Sequence, residues 1–368
     1  MAAEVWVTDA TSVTALGGNL QEIWQRLLWG QSAIAPVVRF SVNGYKSRFA
    51  ACIPDLNCLG PTSAIHDLLG RLFKEMGPIP TDARLYTATT KAGIDNLERI
   101  YQGQPADASD IFVTAIANQV SGQLNLNHGG TNISAACASS AIAVAKGAAL
   151  IAAGRAECVL VCCVDLVTEF VFSGFSALGA LSPKPCASLL LMTADRARKE
   201  GRPHLGTVLG WGVANDAFHV TAPAPDGCGL SAAVRQALKR AHLKPEAVSG
   251  VCAHGTVCAH GTGTIYNDQM ELTAFEQLFG DRRLPVYSIK GAIGHTMGAA
   301  GGIEVALGLK SLSEGIVPPT VGFKKGEGRT VGRVSSQVEI LSGNYLLSTN
   351  SGFGGINAAL ILAKSRGV

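Results

Sequence analysis

Cys137 is the side chain of this 368-residue sequence best placed to do chemistry. It stands in Ser134-Ala135-Ala136-Cys137-Ala138-Ser139-Ser140, directly before a stretch from Ala141 to Ala153 that is almost wholly apolar or tiny and closes on Gly154. Such a stretch predicts a buried helix with a glycine cap rather than a surface helix with one wet face. Cys137 then occupies the helix N-terminus. There the partial positive charge of the helix dipole and the unpaired backbone N–H groups favour thiolate over thiol and can hold an oxyanion. This is the setting of an activated nucleophile, and a cysteine buried for packing alone is the plain alternative for the segment taken by itself.

Further candidates lie in glycine-rich turns of the second half. One turn is Ala259-His260-Gly261-Thr262-Gly263-Thr264, another is Lys290-Gly291-Ala292-Ile293-Gly294-His295-Thr296-Met297-Gly298, and a third holds Gly352-Phe353-Gly354-Gly355. Turns of small residues bring backbone and side chain close to a substrate at little steric cost. The first turn has an echo just before it, Val251-Cys252-Ala253-His254-Gly255-Thr256 followed by Val257-Cys258-Ala259-His260-Gly261-Thr262. Cys252, His254, Cys258 and His260 are zinc-ligand types, but the spacing is not that of the common fingers. Alternate residues of a strand also share one face without closing a tetrahedron. The echo therefore reads as a duplication, and no metal or cofactor is expected.

Length, 47% apolar content and 43 glycines suit a large close-packed core, and two similar halves are natural at this size. A net charge of +3 argues neither for nucleic acid nor for an anionic membrane, and neither is expected as a partner. Ten cysteines without a charged-then-apolar leader at Met1-Ala2-Ala3-Glu4-Val5 fit a reduced, cytoplasmic protein, and no apolar run approaches the roughly 20 residues of a membrane span. Strand-like and helix-like segments alternate: Val5–Val7 before Leu20–Leu28, Ala83–Thr90 before Ile94–Tyr101, then Val159–Val164 after the buried helix. In the second half they are Leu205–Val213, Leu230–Ala241, Val248–Ala253, Met270–Phe279, Val286–Ser288 and Ile303–Leu312. The rhythm predicts α/β layers with right-handed crossovers and parallel strands covered on both faces. The charged stretch Arg196 to Pro203 divides the chain into an N-terminal half, 1–202, and a C-terminal half, 203–368.

The Cys137 segment, the His260 turn, the Lys290-to-Glu304 segment and Asn350-Ser351-Gly352-Phe353-Gly354-Gly355-Ile356-Asn357 follow one another in the order that resembles the β-ketoacyl-acyl carrier protein synthases. These are the condensing enzymes of fatty acid and polyketide assembly. Val5 to Gly17, Gly174 to Pro183 and Asn215 to Gly227 are similar to further segments of that family, so the resemblance covers nearly the whole chain. It implies a thiolase fold, two similar βα halves in an α-β-α-β-α arrangement. It also implies roles: Cys137 as the acyl-carrying nucleophile, His260 and His295 as imidazole donors to the enolate of a malonyl thioester, and Lys290 with Glu304 as a pair orienting His295. Phe353 becomes a gate whose backbone N–H joins that of Cys137 in an oxyanion hole, and Asp268 a structural acid. Within the echo only the second copy continues as the family does, which favours His260 over His254. The implied partners are an acyl carrier protein bearing acyl and malonyl groups and a second subunit, identical or a related ketosynthase-like chain.

The chain departs from the family after Pro185, where Cys186-Ala187-Ser188-Leu189 follows at once and a loop is missing. That departure keeps a non-condensing chain-length subunit in view as an alternative, and a thiolase acting on coenzyme A esters is the enzymatic rival. Cys137 speaks against the first, and paired histidine turns speak against the second.

Overall fold

The computed structural model describes residues 3–177, 185–253, 265–324 and 330–365. Among them ten strands form one hydrogen-bonded sheet: β1 Val5–Val13, β2 Arg84–Ala88, β3 Thr131–Ile133, β4 Cys158–Val164, β5 Cys186–Thr193, β6 Gly206–Asn215, β7 Gly250–Cys252, β8 Val286–Tyr287, β9 Tyr345–Gly352 and β10 Ile356–Lys364. Their spatial order is β8-β7-β9-β10-β6-β1-β5-β4-β2-β3. The first five strands therefore lie in the order 3-2-4-5-1, and the second five repeat it. Directions repeat as well. β2 runs parallel to β3 and β4, as β7 does to β8 and β9, while β5 and β10 are antiparallel to both of their neighbours. Among the described residues the strand pairing that joins the halves edge to edge is Trp6↔Thr207 and Val7↔Gly206.

The two antiparallel strands correct the expectation of parallel pairing. A strand covered on both faces is apolar throughout whatever the direction of its neighbours, so Cys186–Thr193 carries no mark of its orientation. The alternation seen in the sequence also stops short of the β9–β10 hairpin.

Side-chain alternation builds the layers. In β4, Val159, Val161 and Cys163 join one core, whereas Cys158, Leu160, Cys162 and Val164 join another. The outer core of the first half is closed by helices α1 (Ile65–Glu75) and α2 (Val113–Gln123). Between the two halves lie α3 (Ser139–Ala152) and α8 (Ala300–Glu314), whose residues share a core with strands of both halves. The outer core of the second half is covered by α5 (Cys228–Ala241) and α6 (Ile265–Phe279). The result is the α-β-α-β-α arrangement. The expected glycine cap is present: Gly154 adopts φ 66°, its N–H bonds Ile151 O and the Arg155 N–H bonds Leu150 O.

Candidate active site

The described functional side chains come forward at the carboxyl ends of strands, the end at which open α/β sheets bind ligands. Cys137 follows β3, Lys91 follows β2, Asp165 follows β4, Lys290 follows β8 and Phe353 follows β9. Helix α3 begins at Ser139 with Ala138 as its cap, so Cys137 stands one residue ahead of the cap. Ala136 adopts φ 47°, unusual for a residue with a Cβ, and the turn is tied by Ser139 Oγ. That hydroxyl accepts the Ala135 N–H at 2.8 Å and donates to Ala136 O at 2.6 Å. Cys137 itself is 8% exposed.

His295 reaches Cys137 from the other half. It follows the short helix α7 (Lys290–Ile293), and its Nε2 lies 3.0 Å from Cys137 Sγ. The N–H of Met297, a residue held at φ 47°, donates to His295 Nδ1 at 3.1 Å. Nδ1 is thus an acceptor, which assigns the proton of the neutral ring to Nε2, facing the sulfur. Burial holds the imidazole well below its ordinary pKa, and Lys290 and Lys91 push it further down. His295 is therefore a neutral donor at physiological pH and not a base for the thiol.

What lets the two halves approach so closely is the small-residue run at the start of α8. A Cβ on Gly302 would collide with Cys163 Sγ, and the Gly302 N–H bonds Ser140 Oγ at 3.0 Å, which seats α8 directly on α3. The hairpin end is as close, since a Cβ on Gly352 would lie 3.1 Å from Cys137 N.

One sequence expectation is reversed. Burial pushes the Cys137 thiol up, against the lowering effect first of Lys290 and then of Lys91, while Asp165 raises it further. Desolvation of the thiolate outweighs the two lysines in the resting protein.

Lys290 and Glu304 are both buried near this pair. Burial drives the Lys290 ammonium down and the Glu304 carboxyl up to about 8, and each charge opposes the other's shift. Asn350 Nδ2 donates to Glu304 Oε2 at 2.8 Å. Asp268, on α6, and Glu271 also act on Lys290 by their charge. Phe353 is 37% exposed and stacks at 6.5 Å on Phe175 of helix α4 (Glu169–Ala177), and Phe175 meets the His295 ring edge-on at 6.4 Å. His260, His254 and Cys258, with the zinc reading built on them, lie outside the described residues, as does the stretch 178–184.

Sequence reasoning missed Lys91, Asp165 and Phe175. Phe175 lies inside the family-like segment that begins at Gly174, and Asp165 is an acid at the carboxyl end of a buried strand, so both had a signal. Lys91 had none.

A thiol beside a neutral imidazole donor, at the junction of two topologically repeated halves, defines an acyltransferase of the thiolase fold. The chain belongs to the β-ketoacyl synthase family: residues 83–214 match the family's N-terminal domain and residues 205–324 its C-terminal domain. It is 25% identical to the 3-oxoacyl-[acyl-carrier-protein] synthase 2 of Coxiella burnetii over 98% of both chains, and 29% identical to that of Rhizobium meliloti over 99% of both. Those alignments span 412 and 427 positions against 368 residues here, so these relatives carry segments with no counterpart in this chain. Among solved structures, the ishigamide ketosynthase/chain length factor matches with a TM-score of 0.90 at 23% identity over 100% of both chains. A β-ketoacyl synthase from Burkholderia phymatum gives 0.86 at 22% identity, over 99% of this chain and 100% of that one.

Proposed function

We propose that this chain carries out decarboxylative Claisen condensation on carrier-protein thioesters, with Cys137 as the acyl-bearing residue. The contact of His295 Nε2 with Cys137 Sγ carries this reading, because it puts a neutral donor where the carbonyl oxygen of a second thioester can replace the sulfur.

In the first half-reaction the Cys137 sulfur attacks the acyl thioester. The proton it gives up ends on the departing carrier thiol, and the acyl oxygen is met by the N–H groups of Cys137 and Phe353. In the second, a malonyl thioester loses carbon dioxide. The electron pair of the broken bond becomes an enolate whose oxygen accepts from His295 and His260, and the enolate carbon then attacks the acyl carbon. The Cys137 sulfur leaves and takes up a proton, giving a β-ketoacyl carrier protein and free enzyme. A neutral imidazole suits this step because a stronger acid would quench the carbanion. Phe353 gates the acyl group by moving against Phe175, and Lys290 with Glu304 orients His295.

The halves divide at residues 202 and 203. Partners are an acyl carrier protein and a second subunit, this chain or a related one, with the work done in the cytoplasm. Presenting acyl carrier protein and then malonyl carrier protein tests the reading. Intact mass should show the acyl group on Cys137 first and a β-ketoacyl product second. Failure to load Cys137 from any acyl carrier protein would favour the chain-length subunit.

A further inference from the structure

Lys91 is the charged residue of this site that neither the family motifs nor the reaction above employs. It lies in the turn that follows β2, and the turn is clamped by the fully buried Asp165. That carboxylate accepts from Thr89 Oγ1 at 2.8 Å, Thr90 N at 2.9 Å, Thr90 Oγ1 at 2.9 Å and Gly298 N at 2.7 Å, with the Lys91 N–H at 3.3 Å. The Lys91 ammonium is held on three sides: it donates to Thr90 Oγ1 at 3.0 Å, lies 3.7 Å from Met297 Sδ, and sits 5.5 Å over the Phe175 ring. Phe175 in turn touches His295, which touches Cys137.

Among the described residues no carboxylate stands within ion-pair distance of the Lys91 Nζ. Asp165 reaches it only through the Thr90 hydroxyl, which accepts from the ammonium and donates to the carboxylate. Lys290, the other cation, is depressed by its own burial, with the charge of Glu304 opposing that shift. A buried anion needs a compensating charge nearby, and the Lys91 ammonium stands in the cluster that joins Phe175, His295 and Cys137.

We propose that Lys91 is a positioning residue of the acylation half-reaction, a fixed cation that supports the anionic sulfur of Cys137 at the moment it attacks the thioester. This rests on Cys137 being the acyl-bearing residue. The charged groups acting on the sulfur are Lys290 from α7 and Lys91 from the β2 turn, which lower the thiol's pKa, and Asp165 from the end of β4, which raises it. Glu304 from α8 acts mainly by holding Lys290. His295 is neutral and contributes a donor rather than a charge.

The test is the pH profile of Cys137 alkylation by neutral iodoacetamide in the full chain, followed by peptide mass spectrometry, with the exposed Cys228 as internal reference. In Lys91→Met the midpoint should move up by about one pH unit, which slows alkylation at neutral pH about tenfold. Lys91→Arg, keeping the charge, should restore most of the rate, and Cys228 should be unmoved in both. A Lys91→Met midpoint equal to that of the native protein overturns the proposal. So does a loss that Lys91→Arg shares in full, which would mark a packing effect. Failure of the nucleophile assignment would look different: the native Cys137 would alkylate normally yet never load an acyl group.

Discussion

The carboxylate of Asp165 accepts the Gly298 N–H at 2.7 Å and so ties the loop of His295, in one half of the molecule, to the turn of Lys91, in the other. With its remaining acceptor sites taken by Thr89 and Thr90, it cannot become an amide without turning an N–H toward a donor. Asp165→Asn should therefore lower stability by about 3 kcal/mol, the scale of a buried charged hydrogen-bond network left unpaired. Urea unfolding measures it, and an unchanged midpoint would contradict the clamp.

Cys137 rests as a thiol because burial raises its pKa above the ordinary value of 9.0. The sign is fixed: below that pKa the thiolate fraction rises with pH. Iodoacetamide alkylation of Cys137 should accordingly climb about tenfold per unit of pH from pH 6 upward, with no plateau near neutrality. A plateau beginning at about pH 6 would show that the helix terminus prevails over desolvation after all.

In the proposed mechanism His295→Ala removes a preorganised donor from the enolate oxygen but leaves both oxyanion N–H groups of the loading step. Malonyl decarboxylation should fall by about two to three orders of magnitude, with a much smaller loss of acyl transfer to Cys137. Carbon dioxide release and intact mass report the two steps separately. An equal loss in both would mean that His295 acts on the sulfur alone.

Glu304 titrates at about 8 in the folded protein against 4.5 as a free group. Between those values the folded state holds the extra proton, so this contribution is complete below pH 4.5 and is lost as pH rises through 8. Glu304→Gln cannot titrate. The melting temperature of Glu304→Gln relative to the native protein should rise steadily from about pH 5 to about pH 8, and a constant difference would refute the shift.

The place of Cys137, its glycine-capped helix and most of the strand and helix positions were legible in the sequence because they rest on local rules. A buried helix needs apolar residues on every side, a chain turning back needs a glycine at Gly154, and a strand covered on both faces shows as an unbroken apolar run. The family-like spacing of Cys137, Lys290, His295, Glu304 and Phe353 carried the site for the same reason: each lies in or beside a run of small residues written into the chain. Direction and charge were different. Whether Cys186–Thr193 pairs parallel or antiparallel depends on which strands flank it, and the 3-2-4-5-1 order repeated in both halves exists only once the strands are assembled. Nothing local to Lys91 marks it as a neighbour of residues 137 and 295. Asp165 is brought to Gly298, 133 positions away, by the packing of α3 against α8. The protonation of the site was decided there too. Cys137 lies at the helix terminus that the sequence foretold, but its thiol is governed by how completely the two halves exclude water from it, and that is a property of the assembled core.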